Sequence, residues 1–266
     1  MVFIMEFGNV SGAAITAMAV VAVVTILLPV ILVIVGKVKL GAKLSSFFIG
    51  CGVFFVMALV LEQILHAVVL TITGTKLTDN IWLYALYGGC AAAVFEETGR
   101  WFAMKHFLKK NLDFPNAVMY GIGHGGFEAI VVGGISYIGN IVSALSINSG
   151  MMEKSLQLMD ASTKQQTYTA LQSLWTTPAY QFYLGGAERV LAVVLQIALS
   201  LIVFKAVKSG QKKYIAAAYL IHFAVDFTIV LCGHYFPLMV AEVILLAAVA
   251  VVLWFALKTT KMYKSA

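Results

Sequence analysis

The stretch AAITAMAVVAVVTILLPVILVIV, residues 13–35, passes through 23 positions without a charged side chain. As a helix it is about 35 Å long, enough to cross a hydrocarbon core of about 30 Å. It is too long for a signal-peptide core, and Glu6 without any Lys or Arg precedes it, so it is expected to be a retained span. Similar runs follow at about 44–70, 80–104, 115–135, 179–205, 213–233 and 237–257. Across all 266 residues the chain is 61% hydrophobic and 11% charged, with a mean hydropathy of +0.94. A soluble domain needs about 25% charged residues to keep its surface wet. The expected fold is therefore all-α and polytopic: an integral membrane protein of roughly seven to eight transmembrane helices around a buried polar site. It forms one transmembrane domain over 1–266, with a motif-bearing core at about 80–233.

Asp79-Asn80, Asp113 with Pro115, and Thr177-Pro178 mark the starts of the third, fourth and fifth spans, as polar caps next to prolines do. Lysines set the topology. Lys37, Lys39 and Lys43 follow the first span, and Lys105, Lys109 and Lys110 the third. Lys205, Lys208, Lys212 and Lys213 separate the fifth from the sixth, and Lys258, Lys261 and Lys264 follow the last. Positive charge stays on the cytoplasmic side, so the N-terminus is expected outside, the C-terminus in the cytoplasm, and seven crossings between them. Residues 136–150 are read as an extension of the fourth helix or a re-entrant hairpin, and about 151–177 as an outer loop. The net charge of +6 lies at span ends and not on a basic face, which excludes nucleic acid as a partner. Cys51, Cys90 and Cys232 have no CxxC spacing and are expected as small buried hydrophobes.

Seven of the twelve acidic residues fall inside spans: Glu62, Glu96, Glu97, Glu128, Glu188, Asp226 and Glu242. A charge at mid-helix costs about 2.5–3.5 kcal/mol on insertion scales, so each marks a candidate functional position. Counting from the lysine-rich ends, Glu96 and Glu97 lie roughly 12 Å deep, His124 and His222 near 14 Å, and Glu128 and Asp226 near 20 Å. Glu96 and Arg100, His124 and Glu128, and His222 and Asp226 are each four residues apart, on one face of their helices. Three such pairs on three helices point to one interior cavity. Glu62 and His66, also four apart, suit a structural role near the outer boundary. Glu188 with Arg189 suits pairing and substrate positioning equally. The glycines around His124 suit tight helix packing, or room for a substrate.

Glu-Glu-x-x-Arg at 96–100, aromatic-x-x-x-His at 120–124 and His-x-x-x-Asp at 222–226 resemble the motifs of a membrane protease superfamily. It comprises the type II CAAX prenyl endopeptidases, their bacterial CPBP/Abi relatives and the PrsW-type proteases. Within it, the chain resembles the YhfC-type intramembrane metalloproteases. The first motif is one residue shorter than the CAAX pattern, and Asp226 stands where CAAX proteases have Asn. The resemblance implies an intramembrane endopeptidase of a bacterial cytoplasmic membrane, acting on a membrane-embedded or membrane-anchored peptide or lipopeptide. In CAAX proteases the corresponding His and Asn serve the oxyanion, which an ionised Asp226 cannot do.

Hydrolysis needs a base, an electrophile and an acid for the leaving amine. Glu96 or Glu97 is the expected base, with Arg100 holding the other ionised. In a metal-dependent version, His124, His222 and a carboxylate from Glu97, Glu128 or Asp226 bind Zn²⁺; otherwise no cofactor is needed. Two other readings remain open at this stage. One is a proton- or cation-coupled transporter, which would need a water path from both sides. The other is an inactive binding scaffold, indifferent to replacing both glutamates. In a purely structural reading, these polar pairs only hold helices together. The sequence is silent on oligomeric state.

Overall fold

The computed structural model describes residues 7–263. Glu6 and Lys264, used above for the first span and the last lysine cluster, lie outside the described residues. Helices are the only regular structure among the described residues. Helix α1 (Gly12–Leu40) starts on Ser11, whose side chain accepts from the Ala14 N–H, and ends on Gly41 in the left-handed region (φ 66°). Helices α2 (Leu44–Phe54) and α3 (Gln63–Thr73) are joined without a break by a π-helical stretch, Phe55–Glu62. Helix α4 (Ile81–His106) is capped by Asn80, as the sequence predicts.

Helix α5 (Phe114–Glu128) is capped by Asp113 and carries Pro115 in its first turn, where the missing N–H costs nothing. It continues through a second π-helical stretch, Ala129–Ile135, into α6 (Ser136–Asn148). Residues 136–148 are thus the extension of the fourth predicted helix, not a hairpin. The stretch expected as an outer loop consists mainly of three short helices, α7 (Met151–Gln157), α8 (Ala161–Leu171) and α9 (Ser173–Thr176). Asp160 caps α8, and hydrogen bonds from the Thr163 hydroxyl and N–H hold its carboxyl below the usual range. The last three long helices are α10 (Ala179–Ser209), α11 (Lys212–Tyr235) and α12 (Leu238–Thr260).

Among the described residues, six helical segments are long and apolar enough to cross a membrane, with Phe114–Asn148 and Leu44–Lys76 each counting once. Helix α4 is not among them. Its 26 residues reach about 39 Å, but they include Glu96, Glu97 and Arg100. It is the seventh segment of sufficient length, and the least apolar, because it carries three ionisable residues of the site.

The long helix α10 runs through the middle, packed against α1, α5, α11 and α12, while α2 packs on α5 and α4 on α11. Its second half (Leu199, Leu201, Ile202, Val203 and Phe204) forms the main core with Met104, Leu108, Ala117 and Tyr120. A second core joins Ala14, Ala17 and Met18 of α1 to Ala144 and Ile147 of α6. Outside these cores, Val23, Leu27, Ile31 and Ile34 of α1 and Val251 and Trp254 of α12 face outward. In water this would be a large apolar patch; against lipid tails it carries no penalty. Cys232 is buried as expected, but Cys51 is half-buried and Cys90 is exposed.

Candidate functional site

Glycine sets how closely α5 is approached. A Cβ at Gly123 would fall on the Phe47 carbonyl, and one at Gly50 on the Tyr120 carbonyl, so α2 and α5 touch backbone to backbone. On the other side, a Cβ at Gly121 would lie 2.6 Å from Ile197 Cα and one at Gly125 2.7 Å from Gln196 Cβ. The glycines therefore serve tight packing. At the helix starts, Asn116 accepts from the Lys43 N–H (2.9 Å) and the Ser46 hydroxyl (2.8 Å), fixing α2 against α5. His124 is thereby wedged among α2, α4 and α10.

The three i,i+4 pairs and Glu97 (Glu96, Glu97, Arg100, His124, Glu128, His222 and Asp226) meet in one connected network. His124 Nε2 lies 2.8 Å from Glu96 Oε2, and His222 Nδ1 lies 2.8 Å from Glu97 Oε1. His222 Nε2 then points to Asp226 Oδ2 (3.4 Å) and Glu96 Oε2 (4.0 Å). Arg100 stands behind the two glutamates, 3.5 Å from Glu97 Oε1 and 3.8 Å from Glu96 Oε2. It also donates to the Gln196 carbonyl at 3.1 Å and to the Gln196 side-chain oxygen. Glu97, Arg100 and His124 are 0% exposed, His222 3% and Glu96 7%.

Gln196, which the sequence reading did not single out, connects the halves. Its Nε2 donates to Glu96 Oε2 (2.9 Å) and to Glu128 Oε2 (3.0 Å). Glu128 also accepts from Arg189 (3.3 Å), which pairs closely with Glu188. A signal was available: Gln196 follows Arg189 by seven residues, on the same face of a helix that is apolar over most of its length.

A cavity of about 310 Å³ opens among α4, α10, α11 and the end of α5. Glu96, Glu128, Glu188, Arg189, Gln196, His222 and Asp226 line it; Glu97, Arg100 and His124 do not. Adjacent residues on a helix face about 100° apart, and the structure resolves the pair accordingly: Glu96 faces the cavity and Glu97 sits behind His222. Glu62, expected near a boundary, is buried; it pairs with His66 (3.3 Å), whose Nδ1 meets the Tyr87 hydroxyl at 2.8 Å.

The donor set suits zinc in kind: two imidazoles beside carboxylates. With its Nδ1–H donated to Glu97, His222 turns Nε2 toward the cavity and Asp226, the arrangement that orients a metal-binding histidine. His124 lacks this support, since among the described residues its Nδ1 has no hydrogen-bond partner, and Glu97 Oε2 and Arg100 Nε share that condition. The spacing is closed. Two ligands on a tetrahedral zinc stand roughly 3.3 Å apart, whereas Glu96 and His124 are within hydrogen-bonding contact. Among the described residues, no group of three or more His, Cys, Asp or Glu side chains is set out to hold an ion as it stands. The residues fit a metal by the chemistry of their donors, and holding one would require His124 Nε2 to exchange its bond to Glu96 for the ion.

A family model described as YhfC intramembrane metalloprotease matches residues 24–256. The "Uncharacterized membrane protein YhfC" of Bacillus subtilis (strain 168) is 38% identical over 216 residues, which is 80% of this chain and 83% of that protein. No solved structure matches the chain.

Proposed function

Because the chain belongs to the YhfC intramembrane metalloprotease family, we propose that it is an intramembrane endopeptidase acting on a membrane-embedded or membrane-anchored peptide. The observation that carries this reading is the convergence of Glu96, His222 and Asp226 on one cavity, with His124 against Glu96 and Glu97 behind His222. Kinship with the CAAX and PrsW proteases rests on the three short motifs alone.

In this reading Glu96 is the base. It takes a proton from water as the oxygen attacks the peptide carbonyl, and returns one to the amine as the C–N bond breaks. His124, hydrogen-bonded to Glu96, aims the carboxylate. Glu97 and Arg100 hold His222 and the glutamate pair from behind, without touching substrate. Gln196 bridges Glu96 and Glu128 through its Nε2, and the Arg189–Glu128 pair lines the region where the peptide backbone lies. His222 through Nε2 and Asp226 would hold a zinc ion, joined by His124 only where its Nε2 gives up the bond to Glu96; the chemistry the ion supplies when bound is Lewis acidity toward a carbonyl oxygen and water.

The test reconstitutes the protein in liposomes with solubilised membrane proteins and maps new N-termini by mass spectrometry. Termini within apolar segments are expected with wild-type protein and reduced about 10²–10⁴-fold in Glu96→Gln. Equal sets with both proteins would sink the proposal and favour a binding scaffold. For orientation, we place the lysine-rich ends in the cytoplasm. An impermeant maleimide should then label Ser162→Cys, but not Lys109→Cys, in intact cells; the reverse pattern would invert the topology.

A further inference from the structure

A second cavity, of about 260 Å³, lies at the lysine-rich end where α4, the end of α10 and the start of α11 meet. Its polar lining comes from Trp101, Lys105, Gln211 and Lys212, and no Asp or Glu contributes to it. Lys105 Nζ sits 4.7 Å from the centre of the Trp101 ring, which leaves its N–H donors unengaged by any carboxylate in the described residues. Nearby Lys208 is already used, donating to the Leu112 carbonyl at 2.9 Å. Gly210, at φ 69°, turns the chain so sharply that α11 begins two residues later, beside the end of α10. The Gln211 side chain does not cap α11, so the first-turn N–H groups of that helix add to the positive character of the cavity.

We propose that this cavity binds a phosphate ester, with Lys105 and Lys212 as its two cationic contacts and Trp101 as its wall. Three independent features support it. The pocket is concave and acid-free, two lysines from different helices converge on it, and an indole stands beside them as aromatic residues do at a headgroup boundary. Along α4, Lys105 is about 12 Å and Trp101 about 6 Å from Glu97, and this cavity shares no lining residue with the peptide-hydrolysing one, so the proposal is independent of that reading. Phosphate there comes from an anionic lipid headgroup or from a soluble phosphate, and the two sources are separable.

The full chain in a nonionic detergent is titrated with dihexanoyl phosphatidylglycerol, with dihexanoyl phosphatidylcholine and with inorganic phosphate, following its thermal unfolding midpoint. The expected result is a saturable rise with phosphatidylglycerol that exceeds the rise with phosphatidylcholine. In Lys105→Gln/Lys212→Gln, half-saturation should move up roughly ten- to thirty-fold. Lys109→Gln/Lys110→Gln, with the same charge change at the same end but outside the cavity, should titrate as wild type. A saturable rise with inorganic phosphate at comparable concentration, abolished by the same double substitution, assigns the site to a soluble phosphate instead. No saturable response to either anion, or the same response from the Lys105/Lys212 variant, overturns the site.

Discussion

Glu96 and Glu97 are neighbours in sequence but have different surroundings, and the proposed chemistry depends on that difference. Glu96 faces the cavity and contacts His124, whereas Glu97 is wholly enclosed and tied to His222 and Arg100. Glu97→Gln retains size but weakens the bond that orients His222. Outer partners of this kind are worth about 10–100-fold in metal affinity. Metal content of the purified protein should therefore be about one zinc per chain in the wild type and absent in His124→Ala and His222→Ala. Glu97→Gln should bind zinc 10–100-fold more weakly. Zinc retained in both histidine variants would remove those side chains from any metal role. Arg100→Ala should destabilise the fold by about 3–5 kcal/mol, because it strands two buried carboxylates.

At the scale of elements, the arrangement rests on α5 being approached closely from two sides. Gly123→Ala places a methyl on the Phe47 carbonyl, and a backbone atom cannot move aside as a flexible side chain can. The expected cost is about 1–3 kcal/mol or more, read as a lower midpoint of thermal unfolding. Gly52→Ala, whose Cβ would meet nothing within 4 Å, should be neutral or slightly stabilising. Equal midpoints for the two variants would mean that the α2–α5 contact is not close. This scale also shows what could be read from the chain alone. The i,i+4 pairs of α4, α5 and α11 were legible because helix period fixes which residues share a face. The assignment of Glu96 to the cavity was not, because the orientation of adjacent residues depends on which helices pack around them. Gln196 carries no charge and so does not stand out among the acids, although an amide in an apolar helix carries much the same information. The course of residues 136–148 stayed open because their scattered Gly, Ser and Asn residues weaken a helix and suit a hairpin equally well.

For the whole molecule, the apolar exterior and the polar interior are two parts of one design. Outward residues of α1 and α12 face the lipid, and most of the ionisable groups within the spans are collected on α4, α5, α10 and α11, in or behind one cavity. The cost of burying them is offset by mutual pairing: Arg100 with Glu96 and Glu97, and Arg189 with Glu128 and Glu188. The composition made the membrane class legible at once, whereas among the described residues six segments are long and apolar enough to cross, because α4 gives up apolarity to carry its part of the site. The most direct test of the central claim, that this interior hydrolyses peptide bonds through Glu96, is isotope incorporation. Proteoliposomes of the wild type and of Glu96→Gln are incubated with membrane-protein substrates in H₂¹⁸O, and peptides bearing new C-termini are analysed by mass spectrometry. The account predicts one ¹⁸O atom in each new carboxyl group with the wild type, and almost none of those termini with Glu96→Gln. New termini that form equally with the variant, or that carry no ¹⁸O, would contradict it.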